Sequence, residues 1–471
     1  MIVRFCIITM LILLMPAAGE ATTTIVKPDG TGDFPTIQAA IDAALEGDII
    51  ELTDGTFTGD GNRDMDYLGK AITVRSQGGN PETCLIDCEG SQSEPHGAIE
   101  FSGGEGASSI LEGITIRGAY PAGIICDSSS PTLYNCRFRD NLGSALGLNH
   151  SQSSIIGCQF LNNASDFGGA GINWANSSGS ITDCVFEENT ALVGAGLFCQ
   201  WASPTISGCS FVGNAATLTG GAIAGQSSSS HVSNCSFSSN TAGEAGGAIR
   251  FHYDAPILED LVCEGNSAGE VGGAMSIEDV EGSIVRRCVL RENSAPAGAG
   301  LHGAGEITVD QCAFVGNAAG QYGGGMISDG PVVVTACTFV GNAAPGGGSG
   351  VWGGGENALS MEKTQIVFGE QGAAVRCPSS IELVCCDIYG NADGDWVGCI
   401  EDQYGVNGNI SEDPLFCDPE NGDFAIRSDS PCAPFSPPNE ECDLIGAFPV
   451  GCNPPSATML TTWGKIKATY N

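Results

Sequence analysis

Between residues 136 and 391 the chain repeats one pattern of apolar and polar positions nine times: Cys, any residue, an apolar residue, any two residues, Asn. The copies are Cys136/Phe138/Asn141, Cys158/Phe160/Asn163, Cys184/Phe186/Asn189, Cys209/Phe211/Asn214, Cys235/Phe237/Asn240, Cys288/Leu290/Asn293, Cys312/Phe314/Asn317, Cys337/Phe339/Asn342 and Cys386/Ile388/Asn391. A shifted copy, Leu261/Cys263/Asn266, stands between the fifth and sixth. Successive asparagines are 22, 26, 25, 26, 26, 27, 24 and 25 residues apart, then 49, which is two ordinary steps with a degenerate copy between. Within a copy the apolar residues alternate, Gly, Ser, Asn and Thr fill the intervals, and nothing recurs at three and four, so short strands are predicted rather than helices. A unit of about 25 residues with two or three such strands buries its apolar side only on its neighbours. The pattern therefore predicts an all-β solenoid, a single-stranded parallel β-helix with coils about 4.8 Å apart.

Stacking gives each repeated position a physical task. Asn141, Asn163, Asn189, Asn214, Asn240, Asn266, Asn293, Asn317, Asn342 and Asn391 are expected to form a ladder, because Asn tolerates left-handed turns and stacked amides bond to one another and to turn backbone. The Cys and Phe positions, two apart on one face, are expected to pile up inside. A column of cysteines is not the cluster a metal needs, and in-register neighbours hold their Cβ atoms outside disulfide geometry.

The ends break the period. Residues 1–21 read as a secretory signal, with Arg4 ahead of the apolar run 5–15 and small residues to Ala21. Residues 22–70 read as an N-terminal cap and first strands. There Thr36 caps a short helix, Gly47 ends it, and Ile37, Ala40, Ile41, Ala44 and Leu45 share the face laid over the open end of the solenoid. The β-helix is assigned to 71–400, a Pro- and Cys-rich closing segment to 401–452, and a linker with a basic, aromatic tail to 453–471. That tail either packs on the cap or serves export or anchoring. No run after the signal is long enough to span a bilayer.

Export agrees with the cysteines outside the interior column: Cys84 and Cys88, then Cys377, Cys385, Cys399, Cys417, Cys432, Cys442 and Cys452 near the C-terminal end. Disulfide staples are expected there, with pairing not readable from spacing. A net charge of -38 with 17 basic residues excludes nucleic acid and anionic membrane surfaces as partners. No cofactor is firmly implied; calcium (Ca2+) is the candidate cation, at the acidic loop 60–66 or at Asp393 and Asp395.

Aligning the strand after each Gly-Gly-Ala block puts Asn173, Phe198, Ala224, Arg250, Ser276, His302, Ile327 and Trp352 in one file. A second file, two residues on, holds Ala175, Gln200, Gln226, His252, Glu278, Ala304 and Asp329. The residues between them, such as Cys199 and Phe251, are apolar and point inward, so both files are expected to face solvent. Phe198, Gln200, Arg250, His252, Tyr253, Glu278, His302 and Trp352 are the candidate ligand-binding residues, with rings for sugar faces and amides or acids for hydroxyls. The densest patch adds Asp254 and Asp279. Within it Arg250, His252, Glu278 and Asp279 are the candidate catalytic set, a base and acids of the kind a polysaccharide lyase or hydrolase uses.

The pairing of Gly-Gly-Ala-Ile at 220–223 and 246–249 with Phe-x-x-Asn at 211–214, 314–317 and 339–342 resembles the repeat of polymorphic outer-membrane proteins of intracellular bacteria. More broadly it resembles the right-handed parallel β-helix superfamily that includes pectate lyases. The resemblance implies a right-handed solenoid from about 25 to 450 with a short N-terminal capping helix and a Cys-rich C-terminal cap. It does not choose among lyases, hydrolases, esterases and adhesins. The text from Ile25 to Phe57 is similar to the opening of pectin methylesterases, but their Gln-Asp-Thr, Asp-Phe-Ile-Phe-Gly and Gly-Arg-Pro-Trp are absent, as are the polygalacturonase motifs and a C-terminal membrane barrel. The expectation is an exported bacterial β-helix that binds extracellular polysaccharide or another cell surface. The rivals are a carbohydrate-active lyase or hydrolase and a structural surface component.

Overall fold

A computed structural model describes residues 21–354, 359–378 and 381–454. The expected signal, apart from Ala21, and the tail from 455 onward lie outside the described residues. Among these, no helix is long and apolar enough to cross a membrane.

The chain winds as a parallel β-helix. One coil runs through the strands Leu197–Gln200, Thr205–Ser207, Ser210–Val212 and Ala215–Thr219, and the next begins at Ile223–Gln226. Like strands pair in parallel, and through these coils the register holds: Leu197 lies beside Ile223, Ile223 beside Ile249, and Ile249 beside Met275. The result is a 26-stranded sheet holding two strands of most coils, a 14-stranded sheet holding one, and a six-stranded sheet that runs from Thr190–Val193 to Ala318–Tyr322. Short corners of two to four residues separate the strands of this coil, and left-handed residues turn such corners. They recur as Asn, Asp, Ser or Gly with positive φ, for example Asp183 at 54°, Gly208 at 65° and Asn234 at 53°, a backbone region those residues enter at little steric cost.

The interior is made of vertical files. Phe138, Phe160, Phe186, Phe211 and Phe237 stack with ring centroids 4.6–4.9 Å apart and planes within 7° of parallel. Cys263 then takes the ring position, and Phe314 and Phe339 resume at 4.4 Å. The cysteines form a second file in which the backbone N–H of Cys136, Cys158, Cys184, Cys209, Cys288 and Cys312 points to the sulfur one coil on, as Cys158 does to Cys184 at 3.3 Å. The asparagines form the third, continuous from Asn141 to Asn342. Gly369 stands at the next rung and donates its N–H to Asn391.

Helix Ile37–Ala43 covers the N-terminal end, capped by Thr36 Oγ1, which accepts from the Ala39 N–H, and it buries Ile37, Ala40 and Ile41. Leu45 does not join that face. The helix stops at Ala43, the extended backbone of Ala44 swings the next residue outward, and Leu45 is 74% exposed.

At the other end the chain turns back on itself. A 3-10 turn, Gly398–Gln403, follows the last coils, and a small sheet of Phe416–Asp418, Asp423–Arg427 and Val450–Cys452 follows it. Part of this segment lies along the outside of the 14-stranded sheet, where Val340 and Val367 share a small core with Ile410, Phe416, Ile426 and Ile445. Disulfides join Cys377 to Cys399, Cys385 to Cys442, and Cys417 to Cys452. Cys84, Cys88 and Cys432 remain buried thiols.

Candidate functional site

The two solvent-side files follow from strand register. Phe198, Ala224, Arg250, Ser276 and His302 stand one rung apart on the 26-stranded sheet, and Gln200, Gln226, His252, Glu278 and Ala304 form the parallel file. The second file is open to solvent to varying degree, and Gln200 donates to Gln226 along it at 3.2 Å. The first is more covered than the alternation predicts: Ala224, Ser276, His302 and Ile327 are buried. The cause is the Gly-Gly-Ala segment leading into each strand. A Cβ at Gly220, Gly246 or Gly272 would come within 3 Å of the Cβ of Ala224, Arg250 or Ser276, so the chain itself roofs this file.

Three charged groups of the candidate set, Arg250, Glu278 and His302, form a chain along the axis with Asp329. Arg250 Nη2 donates to Glu278 Oε2 at 3.0 Å, and Ser276 Oγ donates to Glu278 Oε1 at 2.7 Å. His302 Nδ1 lies 3.0 Å from that hydroxyl, and its Nε2 donates to Asp329 Oδ2 at 3.2 Å. Bonding to His302 is the largest of the effects that hold the Glu278 carboxyl down at about 2, with Ser276 and Arg250 adding to it against the cost of burial. Burial works against the charge on His302, but its hydrogen bond to Asp329 and the Glu278 carboxylate 3.7 Å away outweigh it and raise the imidazole to about 9. The file reads plus, minus, plus, minus and is internally neutral.

Beside it, His252 Nε2 lies 2.9 Å from Asp279 Oδ2, and its ring stacks on Tyr253 at 3.8 Å between centroids. Asp254 turns inward, accepts the Ser228 N–H through Oδ1, and leaves Oδ2 without a partner; burial pushes its carboxyl up to about 7. Below this patch Met275–Arg286 and Leu301–Asp310 stay paired through the corner, Asp279 keeping its left-handed φ of 52°, with register shifts between Glu278 and Val280 and between Glu281 and Ser283. Bulges of this kind re-aim side chains and often flank sites.

The structure thus joins Arg250, Glu278 and His302 in one group and His252, Tyr253 and Asp279 in another. Phe198 and Trp352 stand apart, two rungs before Arg250 and two beyond His302. Trp352 packs instead with Tyr322, 5.5 Å between ring centroids. From Phe198 to Trp352 is six rungs, about 29 Å, the dimension of a track rather than a pocket. A cavity of about 890 Å³ lies off the candidate patch against Asn173, between Tyr120, Leu142, Phe167 and Leu192.

The acids of the two candidate calcium loops serve local bonds: Asp64 contacts His96 at 2.6 Å, Asp66 accepts the Leu68 N–H, and Asp393 accepts the Gly372 N–H. Among the described residues no three His, Cys, Asp or Glu side chains converge on a metal position.

Ser276 and Trp201 were missed by reasoning on residue type alone. Ser276 bridges Glu278 and His302, a role that becomes visible only when neighbouring rungs are superposed. Trp201 follows the second file at a corner and is 60% exposed, as is Tyr253.

Two overlapping stretches, 52–191 and 147–323, match the family described as the right handed beta helix region. The chain belongs to that family. Its coils are therefore those of a right-handed β-helix. No curated protein matches the sequence significantly. Among solved structures, a mutant of the family 6 alginate lyase AlyGC superposes with a TM-score of 0.50 at 14% identity, covering 92% of this chain and 59% of that one. This β-helix chain thus spans little more than half the length of that structure. A mannuronic acid specific family 6 lyase from human gut microbiota aligns over 95% of this chain and 94% of its own, with a TM-score of 0.44 at 11% identity. A GH87 α-1,3-glucanase from Streptomyces thermodiastaticus aligns over 85% and 71%, with a TM-score of 0.38 at 13% identity.

Proposed function

We propose that this β-helix is an exported, non-catalytic module that holds an extended extracellular polysaccharide along the stripe from Phe198 to Trp352. The observation that carries this reading is the closed charge chain Arg250, Glu278, His302, Asp329. A general base works best with a pKa near the operating pH. Glu278, held at about 2, is a weak base, and His302, raised to about 9, is a weak acid at neutrality. Each charge also answers another, so the group suits a rigid polar rail that offers hydrogen bonds to hydroxyls. The fold shared with AlyGC, named as an alginate lyase, supports polysaccharide as the ligand class. Three disulfides among the last coils and the closing segment support an oxidising, extracellular address.

A second reading is favoured by one contact. Asp279 orients His252 at 2.9 Å in a half-exposed position, the arrangement of a base and its positioning acid. On that reading the chain is a polysaccharide lyase or hydrolase with His252 as base. A glycan array combined with assays for new reducing ends and for unsaturated uronate separates the two. Binding without turnover supports the module; turnover abolished by His252→Ala supports the enzyme; no ligand at all leaves a structural surface component.

A further inference from the structure

The corner that follows the second file is a column of its own. Ser128, His150, Asn176, Trp201, Ser227, Tyr253 and Asp279 occupy it in successive coils, all left-handed, with φ between 50° and 60°. Backbone bonds lock the column rung by rung: the N–H of Trp201 donates to Gln226 O at 3.0 Å, that of Ser227 to His252 O at 3.1 Å, and that of Tyr253 to Glu278 O at 3.2 Å. Small polar residues suit such a position, whereas a bulky side chain there is strained and normally has a compensating role. Burial is not that role for Trp201 or Tyr253, since both are 60% exposed. Their rings stand two rungs apart, about 9.6 Å, and Ser227 between them leaves the intervening rung low. The open amides Gln200 and Gln226 run alongside, with His252 and Glu278 continuing that file.

We propose that this corner is a ridge of aromatic platforms for a flat, two-fold ribbon glycan, an equatorially linked β-1,4 chain lying parallel to the solenoid axis. In such a chain every second sugar presents the same ring face, and the two-residue repeat matches the separation of Trp201 from Tyr253. One sugar stacks on each aromatic ring, the sugar between passes over Ser227, and the second file takes the hydroxyls along one edge. Coiled α-linked chains turn their ring faces progressively away and fit only one platform. The inference rests on the stripe being a glycan track and adds which glycan it takes.

The test is calorimetric titration of the mature full chain with β-1,4-linked hexasaccharides of glucose, mannose and N-acetylglucosamine, with maltohexaose and oligogalacturonate as coiled comparators. Trp201→Asn and Tyr253→Asn remove the rings while giving the corner a residue that favours it, so folding is preserved and checked by melting temperature. At least one β-1,4 hexasaccharide is expected to bind more tightly than either comparator, and each variant to weaken it about five- to tenfold. Trp201→Tyr is expected to retain binding, and trisaccharides to outbind disaccharides because only they reach both rings. Equal binding to wild type and both Asn variants overturns the proposal. So does binding of another polysaccharide class that is lost in Gln226→Ala and Glu278→Ala but not in the ring variants, an outcome that leaves the track reading standing. If no glycan of any class binds, both fall.

Discussion

Asn189 donates through Nδ2 to Oδ1 of Asn214 at 2.9 Å, and its backbone N–H reaches the same oxygen at 3.1 Å. Asn214 in turn donates to Phe186 O and to Asn240 Oδ1, so every polar atom of this buried amide is matched. Replacing Asn214 by Ala orphans the Asn189 donors and the Phe186 carbonyl at once. Each buried unmatched group costs about 1–3 kcal/mol. Asn214→Ala is therefore expected to destabilise its coils by about 3 kcal/mol or more, read as lost hydrogen-exchange protection at Asn189 and its neighbours. Asn214→Asp should be worse, because it cannot donate and brings a charge into the file.

The ring file makes a parallel prediction. Phe211 is fully buried between Phe186 and Phe237, at 4.6 and 4.8 Å. Phe211→Ala is expected to cost about 3–5 kcal/mol, measured by denaturant unfolding. Cys263 already occupies a ring position with a small side chain, so Cys263→Ala should cost distinctly less.

What was legible in the sequence divides along a physical line. The Cys-x-Phe-x-x-Asn frame repeats because every coil presents the same environment at those positions, and an environment repeated nine times can be read from one chain. The solvent-side groups have no such redundancy. That Glu278 bonds Arg250, Ser276 and His302 depends on three adjacent rungs carrying complementary side chains, and no periodicity announces it. The roofing of Ser276 was invisible for a different reason: it comes from the backbone of Gly272 passing over it, a contact made by an absent side chain. The burial expected for Leu45 failed because the helix ends at Ala43, short of it. Trp201 escaped notice because its column is defined by a left-handed φ and not by alternation.

Glu278 sets the charge on His302. Glu278→Gln removes one of the two carboxylates that hold the imidazole at about 9, while Asp329 remains at 3.2 Å. The His302 titration followed by NMR should move down toward the ordinary range near 6.5. In the wild type the His302 contribution to stability is complete below about 6.5 and fades as pH rises through 9; the Glu278 contribution is present above about 4.5 and fades as pH falls through 2. In Glu278→Gln the acid-side loss disappears, and the loss on raising pH is smaller and is complete below pH 9.

The buried thiols of Cys84, Cys263, Cys288 and Cys312 should be chemically silent. Burial raises Cys263, Cys288 and Cys312 well above the usual thiol range and pushes Cys84 up to about 12. The reactive form is the thiolate, and none of these is accessible. At pH 8 the folded chain is expected to resist alkylation by iodoacetamide at every one of them, with mass spectrometry finding full modification only after denaturation.

At the C-terminal end, Asp387 is the last strand's buried acid, and the closing segment docks on it. Its Oδ1 accepts the Glu412 N–H at 3.0 Å, and Oδ2 lies 3.2 Å from the thiol of Cys432. Burial pushes the Asp387 carboxyl up to about 7, with the Glu412 N–H and the Cys432 thiol working the other way. Between about 4 and 7 the folded protein therefore holds a proton that the unfolded chain has lost, and this contribution to stability falls as pH rises through that window. Above 7 the carboxylate is charged in both states and the docked segment carries the full cost of burying it. Asp387→Asn keeps the oxygen that Glu412 needs and places a neutral amide beside Cys432, so the variant resembles the protonated wild type at every pH. Its melting temperature should match the wild type near pH 4 and exceed it increasingly up to pH 7, with a constant gap beyond. A gap that does not change with pH would mean that Asp387 is ionised in the folded protein throughout the range.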